Sequence, residues 1–116
     1  MNKIDYHNRT FSSITNSKSG EVSSETVFHY WQKDDVVWAT YAGGAIKFGT
    51  LIAKILANDE LEMRYSHVNQ EGEMMTGKCR STPEILPDGR LRLHEKWQWT
   101  CGNCENGESI VEEIKS

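Results

Sequence analysis

From Arg90 to Thr100 the chain reads R-L-R-L-H-E-K-W-Q-W-T, an alternation that suits a strand and no other regular element. Successive strand side chains point to opposite sides, so Leu91, Leu93, Glu95, Trp97 and Trp99 share one face. Arg90, Arg92, His94, Lys96 and Gln98 share the other, which is fully solvated in character. A carboxylate therefore interrupts an otherwise apolar row. Burying it is costly unless something pairs with it, which makes Glu95 either a structural partner or part of a site.

The rest of the chain repeats this grammar. Thr26 to Gln32 is aromatic and β-branched and ends at Lys33-Asp34-Asp35; Val36 to Tyr41 follows, then Gly43-Gly44, a hairpin signal. In Ala45 to Ile55 the apolar positions shift from Ile46 and Phe48 to Leu51, Ala53 and Ile55, which predicts a bulge near Gly49. Glu60 to Val68 alternates again, with Leu61, Met63, Tyr65 and His67 on one side. Glu73 to Ser81, Arg90 to Cys101 and Glu108 to Ile114 complete the set, with Thr82 to Gly89 as the longest connection. Adding a first strand near Thr10 to Ile14 gives eight, and no stretch sustains a helical period. Short turns make sequential neighbours antiparallel. An all-β meander of this length avoids exposed edges by closing, so the fold expected is an eight-stranded up-and-down barrel spanning 1–116. Ser12 to Ser24, rich in Ser, Thr, Asn and Gly, reads as a loop over a barrel mouth or as part of a loose N-terminal segment 1–24.

Length and charge narrow the class. At 116 residues the chain makes one domain with a core of useful size. A net charge of −4 and the absence of any Lys/Arg run disfavour nucleic acid. No signal-peptide h-region or membrane-length apolar run is found, and three cysteines suit a reducing compartment, so the expectation is a cytoplasmic protein with no membrane partner.

An eight-stranded barrel is either filled by its own side chains or holds one small ligand. The inward candidates here are Tyr65, His67, Glu95, Trp97 and Trp99, with one of Trp38 or Tyr41 and one of His29 or Tyr30. Aromatic walls with a few convergent polar groups are what small-molecule pockets look like. The alternative is a packed aromatic core in which Glu95 pairs with an inward Arg or Tyr hydroxyl. If Glu112 shares the row of Ile110 and Ile114, it also points inward beside Glu95, and two close carboxylates would share a proton or need a cation, for which Arg64 is one candidate although its row looks outward.

The strings RYxHVN (Arg64 to Asn69), GExMTG (Gly72 to Gly77), STPEILPDG (Ser81 to Gly89) and LHExWQWT (Leu93 to Thr100), with Glu112-Glu113, resemble a family of small bacterial proteins, some labelled N-acetylglutamate synthase. The resemblance covers about residues 20 to 114 and implies a calycin-like, lipocalin-like antiparallel barrel. It carries over no activity and no catalytic residues. Acetyltransferases that make acetylglutamate have a mixed αβ fold and an R/Q-x-x-G-x-G/A turn, and neither is found here.

Cys101-Gly102-Asn103-Cys104 is a C-x-x-C motif, but it sits in a turn between strands, where no helix N-terminus lowers a thiol pKa. Zinc would need two further ligands; no second C-x-x-C or H-x-x-x-H occurs, and Cys79 with one histidine could complete a site only if the fold brought them close. The reading is incidental thiols, no metal and no cofactor. The function expected is binding of a small, partly apolar ligand by Tyr65, His67, Glu95, Trp97, Trp99 and Glu112. The alternatives are a lyase- or isomerase-type enzyme using Glu95 for proton transfer, or a filled barrel that binds a protein partner. Catalytic residues and oligomeric state stay open.

Overall fold

The computed structural model describes residues 4–16, 20–102 and 104–114. It is a closed antiparallel barrel of eight strands in sequential order. They are β1 (Arg9–Asn16), β2 (Val27–Lys33), β3 (Val36–Gly43), β4 (Ile46–Ile55), β5 (Leu61–Asn69), β6 (Met74–Ile85), β7 (Leu91–Trp99) and β8 (Asn106–Glu113). β1 pairs with β8 and closes the sheet, so every strand has two neighbours and no edge is left for intermolecular pairing. Ser12–Asn16, placed by sequence in a loose region, belong to β1, because residues there pair with both β2 and β8. Positions 17–19 and 1–3 of that region lie outside the described residues. Among the described residues no helix is long and apolar enough to cross a membrane.

Turns fall where the chemistry allows them. Asp34 takes φ 53° in the β2–β3 turn, and Gly43 and Gly44 take φ 122° and 63° between β3 and β4. The register of β4 against β5 slips between Ile46 and Phe48, just before Gly49, and so returns Gly49, Leu51 and Ala53 to the inner face. The connection expected over Thr82 to Gly89 is shorter than its two prolines suggested, because β6 continues through Pro83 to Ile85 opposite β7. β6 pairs with β5 only as far as Ser81, so Pro83 lies where one side of the strand has no ladder to break.

One end of the barrel is plugged. Tyr6, Phe11, Tyr30, Leu61, Leu91 and Leu93 are all at most 1% exposed there. The N-terminal segment crosses this end and is pinned to the short 3-10 turn Ala57–Asp59, through Tyr6 Oη donating to the Asp59 carbonyl and Ile4 N donating to Asp59 Oδ1. The β1–β2, β3–β4, β5–β6 and β7–β8 connections surround the other end.

Candidate functional site

The open end is organised by size. β7 points Glu95, Trp97 and Trp99 inward, about 7 Å apart along the strand. On either side of them the inward residues are small. Trp97 lies between Cys79 and Gly107, Glu95 between Ser81 and Ser109, and Trp99 beside Gly77. Gly77 also faces Tyr65, and a side chain there would collide with the Tyr65 ring, so the ring lies against the backbone of β6. Gly49 does the same between Tyr41 and His67. Bare backbone at these positions lets large rings line the wall instead of crossing the lumen.

What remains is a cavity of about 50 Å³ lined by Phe28, Tyr41, Leu51, Met63, Tyr65, His67, Cys79, Glu95, Trp97, Trp99 and Ser109, with residues 20–22 over it. A buried water needs only about 10–15 Å³ of such space, whereas pockets for drug-sized ligands start near 300 Å³. The cavity suits a compact molecule. Tyr65 and Trp99 meet edge to face with centroids 5.8 Å apart, and Trp97 and Trp99 are tilted at 5.6 Å, so the walls form one ring cluster.

Glu95 lies in the depth of the cavity. Ser81 Oγ donates to its Oε2 at 3.3 Å, and the Ser109 hydroxyl is its second donor. Two hydroxyls do not replace the hydration that a carboxylate loses, so burial pushes the Glu95 pKa up to about 7 against the two serines' opposing pull. Burial also pushes the Cys79 thiol and the Tyr30, Tyr41 and Tyr65 hydroxyls upward, with Glu95 adding to each. These four stay protonated, which leaves Glu95 as the group among them that titrates near neutrality.

The mouth is closed by a polar latch. Glu21, in the β1–β2 connection, reaches β5, where its Oε1 lies 2.7 Å from His67 Nε2 and its Oε2 accepts from Asn69 Nδ2 at 3.0 Å. Tyr41 Oη is 3.0 Å from His67 Nδ1. An Nε2–H tautomer satisfies all three groups: Tyr41 donates to Nδ1, and His67 donates to Glu21. Asn69 Oδ1 in turn accepts from Glu71 N and Glu73 N, which fixes the latch to the β5–β6 turn. The His67 side chain is only 1% exposed, so the contact seals the rim.

Of the residues expected in the site from sequence, Tyr65, His67, Glu95, Trp97 and Trp99 are brought together around this cavity. Glu112 is not among them. Its neighbour Val111 is the inward residue of β8, so Glu112 points outward with Ile110 and pairs with Arg92 Nη2 at 2.7 Å and Arg90 Nη1 at 3.1 Å. Those arginines, Arg92 foremost, hold its carboxyl below the usual range. Arg64, the candidate cation for such a pair, lies on the outward row as its alternation indicated, exposed beside Glu62. Of the open pairs, Tyr41 and Tyr30 face inward, while Trp38 is exposed and His29 packs on Trp31 outside. Sequence reasoning did not place Phe28, Cys79, Ser81, Ser109 or Glu21 in the ligand pocket; Cys79 entered it only as a possible zinc ligand. Gly77, Cys79 and Ser81 do alternate with Lys78 and Arg80, a small-residue row that was readable. Nothing local marks Glu21.

The thiols of the C-x-x-C turn do not join the site: Cys104 is exposed and Cys101 packs beside Thr76, with Sγ 3.4 Å from its amide nitrogen. Among the described residues no three His, Cys, Asp or Glu side chains gather as a metal site would require.

The class these features define is a closed eight-stranded barrel with one plugged end and one capped, aromatic-lined cavity. The sequence profile of the avidin-like protein family matches residues 4–114, nearly the whole chain, and the chain belongs to that family. The calycin-like barrel implied by sequence resemblance agrees with this assignment. Neither the curated proteins nor the solved structures returned a match.

Proposed function

We propose that this protein binds one small, partly apolar molecule in the open half of the barrel. The walls are Trp97, Trp99, Tyr65 and Phe28, Glu95 is the polar anchor, and Glu21 latches the mouth. The observation that carries the reading is a cavity whose single deep charged group lacks full pairing. A structural carboxyl would be matched by a cation or tied up completely, whereas Glu95 has two serine hydroxyls and open space in front of it. Family membership supports the reading, because avidin-like barrels are a ligand-holding architecture.

Proton transfer is the second reading, favoured by a carboxyl that titrates near 7 among protonated tyrosines. Glu95→Gln separates the two. Ligand binding, followed by the fluorescence of Trp97 and Trp99 across a fragment panel, should fall at least tenfold with the fold retained if Glu95 is an anchor. Turnover lost with binding kept marks an enzyme. A panel that never perturbs the wild-type fluorescence or melting temperature sinks both readings and leaves Glu95 as architecture.

A further inference from the structure

The chemistry of the cavity wall restricts the ligand further. The carboxyl groups that line it are Glu95 in the depth and Glu21 at the rim; no lysine or arginine lines it among the described residues. Among the described lining residues an anionic ligand would meet two carboxyl groups and neither lysine nor arginine, with the imidazole of His67 already bonded to Glu21 and Tyr41. A plain hydrocarbon would fit the rings but leave Glu95 facing it without a partner, at a desolvation cost that nothing offsets. Indole and phenol faces carry negative electrostatic potential, and the rings of Trp97, Trp99 and Tyr65 line the cavity together with Glu95. Aromatic faces and a carboxylate favour the same kind of guest.

We propose that the cavity takes a small organic cation, a protonated amine or a quaternary ammonium, held among the rings of Trp97, Trp99 and Tyr65 with its charge facing Glu95. This rests on the ligand-binding reading above and names its chemical class. The bound charge supplies the counter-ion that Ser81 and Ser109 cannot, and the rings replace water around the alkyl groups.

A pH dependence follows. The groups facing Glu95 are Ser81 and Cys79 on β6, Ser109 on β8, Tyr30 on β2, Tyr41 on β3 and Tyr65 on β5. The tyrosines and the cysteine keep their protons through the neutral range, so the ionisation that a cation needs is that of Glu95. Without ligand this carboxyl is half-protonated near pH 7. Cation affinity therefore rises as pH is raised through 7 and levels off above it. His67 sits at the rim, bonded to Tyr41 and Glu21, and its contribution is separated by the Glu95 variant.

The test compares choline with 3,3-dimethylbutan-1-ol, which has the same shape with carbon in place of the charged nitrogen, by calorimetry on the full chain. At pH 8 choline should bind at least tenfold more tightly than the neutral alcohol. The preference should shrink severalfold at pH 5.5, and it should disappear at both pH values in Glu95→Gln. The wild-type comparison needs no variant to fold. Equal or tighter binding of the alcohol at pH 8 overturns the cation proposal and leaves the ligand-binding barrel standing. Binding of neither also overturns it, and the broader reading falls as well if the fragment panel is silent. A choline preference that Glu95→Gln leaves unchanged overturns the assignment to this carboxyl.

Discussion

The plugged and open ends of the barrel are built on the same inward alternation, yet only one of them leaves space. At the plugged end the inward neighbours across β6, β7 and β8 are of similar bulk: Leu93 lies between Pro83 and Val111. Together with Tyr6 and Phe11 they fill the lumen, as close-packed interiors do. At the open end the large side chains of β5 and β7 have small neighbours: Gly49 beside His67, Gly77 beside Tyr65 and Trp99, Cys79 and Gly107 beside Trp97, and Ser81 and Ser109 beside Glu95. Concentrating volume in rings that lie along the wall creates a site; spreading it evenly creates a plug. The difference between plug and cavity in this fold is thus one of size pairing, with Glu95, Ser81, Ser109 and His67 adding polar groups to the open end.

Substitutions at the two ends should separate accordingly. The largest effect is expected from Leu93→Ala at the plugged end, a loss of about 2–5 kcal/mol in urea unfolding, with ligand affinity unchanged in the folded fraction. A loss below about 1 kcal/mol would show that this end is not the packed core.

Glu95→Gln should act in the opposite sense and only above acid pH. Folded Glu95 holds its proton more tightly than the unfolded chain, where its pKa is near 4.5 against about 7. Its contribution is therefore complete below the unfolded value and is lost as pH rises through 7. The variant should match wild type near pH 4 and exceed it by up to roughly 3 kcal/mol at pH 8. Identical pH profiles for the two proteins would mean that the carboxyl is not desolvated as described.

Gly77→Ala should come next, at about 1–3 kcal/mol, because the new methyl meets the Tyr65 ring. It should also weaken ligand binding by displacing a wall, which Leu93→Ala should not do. The smallest stability change belongs to Glu21→Ala. Breaking the latch to His67 and Asn69 should cost about 1 kcal/mol or less, while ligand dissociation, followed by stopped-flow fluorescence, should accelerate about fivefold. An unchanged dissociation rate would remove the latch from the binding cycle.

The same contrast explains what was legible in the sequence. The inward row of β7 and that of β5 could be read from alternation alone, because large apolar residues mark them. Tyr41 against Trp38, and Tyr30 against His29, required the cross-strand register, since both members of each pair are aromatic or amphipathic. β8 misled for a physical reason. Its inward residues, Gly107, Ser109 and Val111, must be small to sit beside Trp97, Glu95 and Leu93, so the bulkier Ile110 and Ile114 occupy the outward row and draw Glu112 with them. Hydrophobicity and inwardness part company wherever a strand faces bulky partners. The latch was illegible because Glu21 acts through a connection whose path depends on the closed barrel and on no local pattern.

Native mass spectrometry of gently purified protein, set against the denatured mass, addresses the open half most directly. A reproducible increment of small-molecule size, lost when the chain unfolds, is the predicted result, and its mass identifies the ligand class. A bare native mass, unchanged after incubation with the fragment panel, would contradict the ligand-binding reading and make the cavity a packing defect bounded by rings.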